Sequence, residues 1–157
     1  MGVKNKLVLV RDMPAIGRGF IERLEPPDIK NFYWTKPAPK NSRKVAVIST
    51  AAVSKRGDRP FSWLARDHRV IGKNDRDLVM THVAVEYDRT AWQLDLNTIL
   101  PLDRLNEMAK DNEIGSVAEK HYTFMGAADP RDMEKSAFEV SAEMKKEAVD
   151  TVFLVPV

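Results

Sequence analysis

The sequence predicts an α/β fold, a layered and mostly parallel sheet flanked by helices. Two apolar runs, residues 44–50 and 151–157, are continuous rather than alternating, which is typical of strands buried on both faces of a parallel sheet. Two segments with helical periodicity, 101–111 and 129–147, lie between these runs, and this order favours alternating strands and helices. Because the chain ends on the second run, we expect the sheet to be incomplete at its C-terminal side.

The N-terminal 43 residues are predicted to form an arm, and residues 44–157 the α/β domain. Within the arm, residues 15–24 have a weak helical pattern that two consecutive prolines, at 26 and 27, interrupt. Further prolines and an aromatic run at 32–34 indicate an irregular segment that packs on its own domain or on a partner subunit.

In the domain, the run 44–50 is the first convincing strand. Residues 54–74 are charged and marked by glycine and proline, so we expect a loop. Residues 78–85 read as a second strand, with His82 in its middle. The segment 101–111 follows as a helix with Pro101 at its first position.

The remaining elements alternate in the same way. A turn is predicted near 116–120, and a brief strand over 122–126 that ends on glycine. Asp129 as N-cap and Pro130 at the first helical position predict a helix to about residue 147. The run 151–157 is predicted to be another buried strand.

Composition excludes several classes of chemistry. The chain has no cysteine, so it holds no disulfide or thiolate site, and its three histidines are scattered, so we expect no metal site. No apolar run is long enough for a membrane span or a secretory signal, and the default location is cytoplasmic. Residues 1–60 carry a charge of +8 and residues 61–157 a charge of −6. A solvated basic arm explains this better than nucleic-acid binding, because no nucleic-acid module is recognisable.

Several polar residues are candidates for a site, each with a structural alternative. Ser49 and Thr50 end the first strand, where hydroxyl groups bind a carboxylate or phosphate, or else cap local backbone. His82 is a core histidine or a working base. Cap, surface and catalytic roles stay open for a group that precedes or begins the helix, namely Asp95, Asn97, Asp103 and Arg104.

The segment 121–126 lines a pocket or simply packs, and this applies to His121, Met125 and Gly126 alike. The pair Gly17 and Gly19 matches only part of a dinucleotide-binding motif, because Glu22 stands where the third glycine of the motif belongs.

Taken together, four collinear segments resemble the glycine/sarcosine/betaine reductase selenoprotein B family, which also contains the selenocysteine subunit of D-proline reductase. They are VISTAAV at 47–53 with Asp58 and Pro60-Phe61, DLNTILPLDRL at 95–105, EIGSVA with HYTFMG at 113–126, and VDTVFLVPV at 149–157. Ala52 departs from the family, which usually has glycine there. Residues 62–74 match it only loosely.

The resemblance implies a reductase that cleaves a C–N bond of glycine, a glycine derivative or D-proline. Family members continue after the last strand with a selenocysteine or cysteine redox motif. We therefore expect the catalytic residue immediately after Val157, and expect this chain to be truncated before it and inactive alone. A pyruvoyl group on a partner subunit is implied as well. The implied substrate-binding residues are Ser49, Thr50, His82, Asp95, Asn97, Arg104, His121, Met125 and Gly126.

The resemblance also implies a homo-oligomer or partner reductase subunits and a small amino-acid substrate. A sheet that lacks its next elements exposes an apolar edge, which favours association as well. The alternative is a non-catalytic α/β binding or scaffold subunit with the same fold.

Overall fold

A computed structural model describes residues 10–23, 30, 35–84 and 89–157 of the chain. Its contacts divide the chain into two units, residues 1–35 and 36–157. The boundary predicted at residue 43 stays a prediction, and the aromatic run at 32–34 lies outside the described residues.

In the first unit, a 3₁₀ turn at Val10–Asp12 precedes helix α1, Ala15–Glu22, as the helical pattern predicts. Gly17 and Gly19 both lie inside this helix. A dinucleotide-binding motif would place its glycines in a turn between a strand and a helix, so this position does not fit that reading.

The second unit carries seven strands and three α-helices among its described residues. In chain order these are β1 Lys44–Ser49, β2 Val53–Lys55, β3 His68–Gly72, β4 Leu78–Met80, α2 Thr90–Leu94, α3 Leu102–Lys110, β5 Ser116–Val117, β6 Lys120–Phe124, α4 Glu134–Lys146 and β7 Thr151–Val155. No described helix is long and apolar enough to cross a membrane.

Strand β1 is the centre of the main sheet. β7 pairs with it in parallel along Val45–Ser49 and takes up one of its sides. β5 and β6 share the other side, β5 beside the first two residues and β6 beside the last two, both parallel. β3 lies outside β6 and is antiparallel to it. The predicted α/β class with a mostly parallel sheet is confirmed.

The predictions for the segments between β1 and α2 need correction. The expected loop at 54–74 contains the end of β2 and all of β3, whose strand form comes from pairing with β6 rather than from an apolar pattern of its own. Of the strand expected at 78–85, only β4 forms among residues 78–84, and residue 85 lies outside the described residues. β4 pairs antiparallel with β2 in a separate two-stranded sheet. His82 therefore follows a strand instead of lying within one. The predicted turn at 116–120 includes the short strand β5.

Helices cover both faces of the main sheet. Val45 and Val47 point to the face covered by α3, where Leu102 and Leu105 pack in the same core. The alternate residue Ala46 points to the face covered by α4 and packs with Val140 and Met144. Because β1 is apolar on both sides, this layering explains its continuous apolar run.

Side-chain hydrogen bonds mark the starts of α3 and of the turn before α4. The Asp129 carboxylate accepts from the Arg131 backbone N–H at 2.9 Å and begins the turn that leads into α4. The Asn97 side-chain oxygen accepts from the Asp103 N–H at 3.0 Å and so caps α3. Pro101 precedes the first residue of α3 rather than occupying it.

Strand β7 was predicted to be buried, but it is largely exposed. It pairs on one side only, with β1, and its central residues Val152, Phe153 and Leu154 are 41%, 49% and 65% exposed. A continuous apolar sequence indicates burial on both faces, but it does not show whether another strand lies alongside.

Candidate functional site

The carboxyl ends of three parallel strands meet at one edge of the main sheet. β1 ends in Ser49 and Thr50, β6 leads into Met125 and Gly126, and β7 leads into Val157. Since β1 lies between β6 and β7, its terminal residues contact both neighbours. In open parallel sheets this is the edge at which ligands bind.

Thr50 joins β1 to the end of β7. Its backbone N–H donates to the Val155 carbonyl at 3.1 Å, and its hydroxyl oxygen accepts from the Val157 N–H at 2.8 Å. The fully buried Ser49 hydroxyl accepts from the Ala51 N–H at 3.2 Å. Both hydroxyls therefore hold backbone at this edge, Ser49 locally and Thr50 across to the end of β7.

Gly126 lets β6 approach Thr50 closely. Its φ is +77°, and a Cβ placed on it would lie 2.8 Å from the Thr50 Cβ, too close for an unstrained contact. Glycine is therefore required both by its left-handed backbone and by lack of space. The Ala52 N–H donates to the Phe124 carbonyl at 2.9 Å and fastens the same crossing.

Ala52 itself is in the left-handed region, with φ +52°, and it is fully buried. This explains why glycine suits the position and why alanine is strained there. A left-handed conformation costs a non-glycine residue roughly 1–2 kcal/mol.

We expect Ala52→Gly to be less destabilising than Ala51→Gly by about 1–2 kcal/mol, because only Ala52 is relieved of left-handed strain. Ala51 is the matched control, since it is adjacent, equally buried and does not have positive φ. Urea denaturation of both variants measures the difference in free energy of unfolding. Equal losses in the two variants would contradict the strain argument.

His82 belongs to this edge through the end of β6. Burial chiefly lowers the pKa of His82, Arg89 lowers it further, and a hydrogen bond with the Met125 backbone opposes the shift. Its Nδ1 accepts from the Ala84 N–H at 3.1 Å, which puts the proton of the neutral ring on Nε2. The Arg89 guanidinium donates to the His82 carbonyl at 2.8 Å. His82 is thus held in place by the Ala84 N–H on one side of its ring and by the Met125 backbone on the other.

Apolar side chains pack beneath this edge, and most of them were not among the residues predicted from the sequence. Ala52, Phe61, Ala65 and Met125 form a buried cluster with Phe61 only 3% exposed. The Arg69 guanidinium lies 4.3 Å from the centre of the Phe61 ring. The Pro60-Phe61 motif was the signal available in the sequence, but only the fold brings it under Met125.

His121 lies within the sheet rather than at the edge. β5 ends opposite Val45 and β6 begins to pair opposite Ile48, which leaves a gap in the ladder at Val47. The Val47 N–H donates across this gap to His121 Nδ1 at 3.0 Å. Burial lowers the pKa of His121 to about 4, although nearby Glu147 opposes the shift. A neutral imidazole therefore replaces a missing backbone acceptor.

Asp95, Asn97 and Asp103 form a separate, exposed network. The Asn97 amide donates to the Asp95 carboxylate at 2.9 Å and to the Asp103 carboxylate at 3.2 Å. Hydrogen bonds to Asn97 lower the pKa of Asp95. The Arg104 guanidinium pairs with Glu107 at 3.0 Å. These groups fix the start of α3 and share no hydrogen bond shown by the described structure with the strand-end residues.

α3 leads from this network back to the sheet. The residues after α3 return to the amino end of β1, where the Gly115 N–H donates to the Arg43 carbonyl at 3.0 Å. Within the described residues, no group of three or more His, Asp or Glu side chains is arranged to hold a metal ion.

Comparison with known proteins identifies the family. The family model for glycine/sarcosine/betaine reductase selenoprotein B matches residues 72–157, more than half of the chain. The D-proline reductase subunit gamma of Acetoanaerobium sticklandii is 30% identical over 129 residues, which cover 77% of this chain and 52% of the relative. The chain thus spans about half the length of that relative, and no solved structure matches it. The chain belongs to the glycine/sarcosine/betaine reductase selenoprotein B family.

Proposed function

We propose that this chain forms the substrate-binding edge of a selenoprotein B-type reductase, which reductively cleaves a C–N bond of glycine, a glycine derivative or D-proline. One observation carries the proposal. Three segments of the family resemblance, 47–53, 121–126 and 149–157, meet at the carboxyl edge of the sheet, where Thr50 bonds Val157 and contacts Gly126.

The reaction needs two electrons and two protons. A selenolate or thiolate attacks the α-carbon, the C–N bond breaks, and the nitrogen leaves as an amine after gaining a proton. A second thiolate then attacks the selenium or sulfur, which releases the carbon with a proton and leaves a selenenylsulfide or disulfide that a dithiol reduces. Because this chain has no cysteine, the proposal places the selenocysteine or cysteine outside these 157 residues.

The described residues bind and orient in this proposal. His82 holds the end of β6 through its hydrogen bond with the Met125 backbone, while Ser49 and Thr50 fix the strand ends that frame the substrate. Met125 forms the apolar surface beneath the substrate and Gly126 allows β6 to approach Thr50 closely.

The remaining candidates act from outside this edge. His121 supports β6 from within the sheet, and Asp95, Asn97 and Arg104 act indirectly through the start of α3. In this proposal a pyruvoyl group belongs to a partner subunit.

The test uses the chain in its own assembly. We expect a complex isolated through a tag on this chain to cleave glycine, sarcosine, betaine or D-proline in a dithiol-dependent assay. Thr50→Val should lower the rate at least about tenfold, because a small misplacement of reacting groups is costly. The matched control is Thr151→Val, the same change at the amino end of β7, where the hydroxyl donates to the neighbouring Asp150 carboxylate.

Two results would contradict the proposal. The first is an intact assembly that cleaves none of the four substrates. The second is an active assembly in which Thr50→Val retains the full rate of the unmodified chain. This second result would favour the alternative function, a non-catalytic binding or scaffold subunit.

A further inference from the structure

Arg89 is held beside the carboxyl edge of the sheet with part of its guanidinium still open. Its Nη2 donates to the His82 carbonyl at 2.8 Å and to the Ala84 carbonyl at 3.1 Å. The remaining N–H groups, on Nη1 and Nε, have no hydrogen-bond or ion-pair partner in the part of the chain that the structure describes. Arg89 is exposed, so a ligand can reach these groups.

The segment 81–84, to which this guanidinium is bonded, lies against the strand ends. Thr81 donates its backbone N–H at 2.9 Å and its hydroxyl at 3.0 Å to the Ala52 carbonyl, just after β1. His82 bonds the Met125 backbone at the end of β6, and the next residue packs against the apolar cluster beneath the edge. The segment therefore fixes the guanidinium next to the ends of β1 and β6.

Two other arginines beside the apolar cluster already have carboxylate partners. Arg66 pairs with Asp132 at 2.5 Å, and Arg69 pairs with Asp67 at 2.6 Å. Arg89 differs from both, because only backbone carbonyls hold it among the described residues. It combines a fixed position with a positive charge that no described carboxylate compensates, and a fixed group loses less conformational entropy when it binds a ligand.

The substrates of the proposed reaction share one charged group that such a cation can recognise. Glycine, sarcosine, betaine and D-proline carry a primary, secondary or quaternary nitrogen, whereas every one of them has an α-carboxylate. Because the C–N bond breaks during the reaction, the carboxylate is the group that can hold the α-carbon in place throughout. Arginine suits this task, since its guanidinium is always charged and makes strong hydrogen bonds to carboxylates.

We propose that Arg89 binds the α-carboxylate of the substrate through the open N–H groups of its guanidinium. This inference rests on the proposed reductase function and adds a specificity-determining residue to it. The His82 and Ala84 carbonyls keep the guanidinium in place while the carboxylate neutralises its charge. Recognition of the shared carboxylate also explains how one edge serves substrates whose nitrogens differ.

The test compares a substrate acid with its own carboxamide, which has the same shape but no charge. In the assembly isolated through this chain, KM is measured for whichever of the four acids is cleaved, and Ki for its carboxamide as a competing ligand. Arg89→Met should raise the KM of the acid roughly 10- to 100-fold, as expected for loss of a hydrogen bond between charged groups. The Ki of the carboxamide should stay unchanged, since that ligand carries no charge for Arg89 to bind.

Arg76→Met is the matched control. The Arg76 guanidinium also donates to two backbone carbonyls, those of Lys73 and Asp75, at 3.0 Å each. It lies at the other end of the sheet, because the Lys73 N–H donates to the Glu119 carbonyl just before β6 begins. This variant should leave both constants unchanged. Arg89→Lys keeps the charge with fewer donors and should raise the KM of the acid less than Arg89→Met does.

Two results from an active assembly would overturn the inference alone. One is an unchanged KM for the acid in Arg89→Met. The other is an equal rise in the KM of the acid and the Ki of the carboxamide, which would show that Arg89 only supports the backbone. If Arg89→Met does not assemble, the same comparison in Arg89→Lys decides, and a KM for the acid equal to that of the unmodified chain overturns the inference. An assembly that cleaves none of the four acids contradicts the reductase function itself, and the inference with it.

Discussion

Lowering the pH from 7 to 4 is expected to destabilise the chain by about 3 kcal/mol through His121 alone. The pKa of His121 is about 4 in the folded chain, compared with 6.5 for an ordinary histidine. The unfolded state therefore binds the proton more readily, and stability falls as the pH drops from about 6.5 to about 4. Each pKa unit corresponds to roughly 1.4 kcal/mol. Protonation of Nδ1 would also remove the acceptor of the Val47 N–H.

The contribution of His121 must be separated from that of the carboxylates that titrate nearby. Glu119 and Glu147 raise the pKa of His121 and Lys73 lowers it, while burial outweighs all three. In His121→Asn the side-chain oxygen can still accept from Val47, but the ring no longer titrates. We expect the free energy of unfolding to change by about 3 kcal/mol less between pH 7 and pH 4 in this variant than in the unmodified chain. If the His121 imidazole titrated near 6.5 in an NMR experiment on the unmodified chain, the low pKa of His121 would be refuted.

Gly126→Ala is expected to cost about 2–5 kcal/mol of folding stability. A left-handed φ of +77° strains alanine by roughly 1–2 kcal/mol. The new Cβ would meet the Thr50 Cβ at 2.8 Å, and overpacking of this kind adds about 1–3 kcal/mol. The movement that relieves this contact shifts Thr50 relative to Val157, so the variant should also lower the reductase activity that we propose for the assembly.

Gly57 provides the matched control for the backbone component. It also has a left-handed φ, +94°, but a Cβ placed there meets no atom within 4 Å. Gly57→Ala should therefore cost only about 1–2 kcal/mol, the strain without the clash. Urea denaturation of both variants gives the comparison. If the two lose the same stability, the close approach of Gly126 to Thr50 contributes nothing.

Sequence patterns predicted the local elements wherever one pattern dominated. The continuous apolar run of β1, the proline and capping aspartate before α4, and the glycine that ends the segment after β6 were all readable in this way. β3 was missed because His68–Gly72 has no strong periodicity and becomes a strand through pairing with β6. His82 was placed in a strand that in fact ends at Met80.

The candidate site was predictable as a set of residues but not as an arrangement. The family segments singled out both Thr50 and Gly126, yet nothing local indicates that they touch or that Thr50 bonds Val157, 107 positions away. His121 shows the same limit. The sequence left open whether it lines a pocket or simply packs, whereas the gap between β5 and β6 makes it a backbone acceptor.

The sequence by itself determined the family, the α/β class, the absence of thiol chemistry from these residues and the polar candidates at the strand ends. Only the tertiary structure decided that β7 is an open edge, that His82 belongs with Met125, and that Asp95 and Asn97 form their own network. The physical reason is the sequence separation over which each effect acts. Periodicity and capping act between residues a few positions apart, whereas strand order, desolvation and close approach depend on residues that only folding brings together.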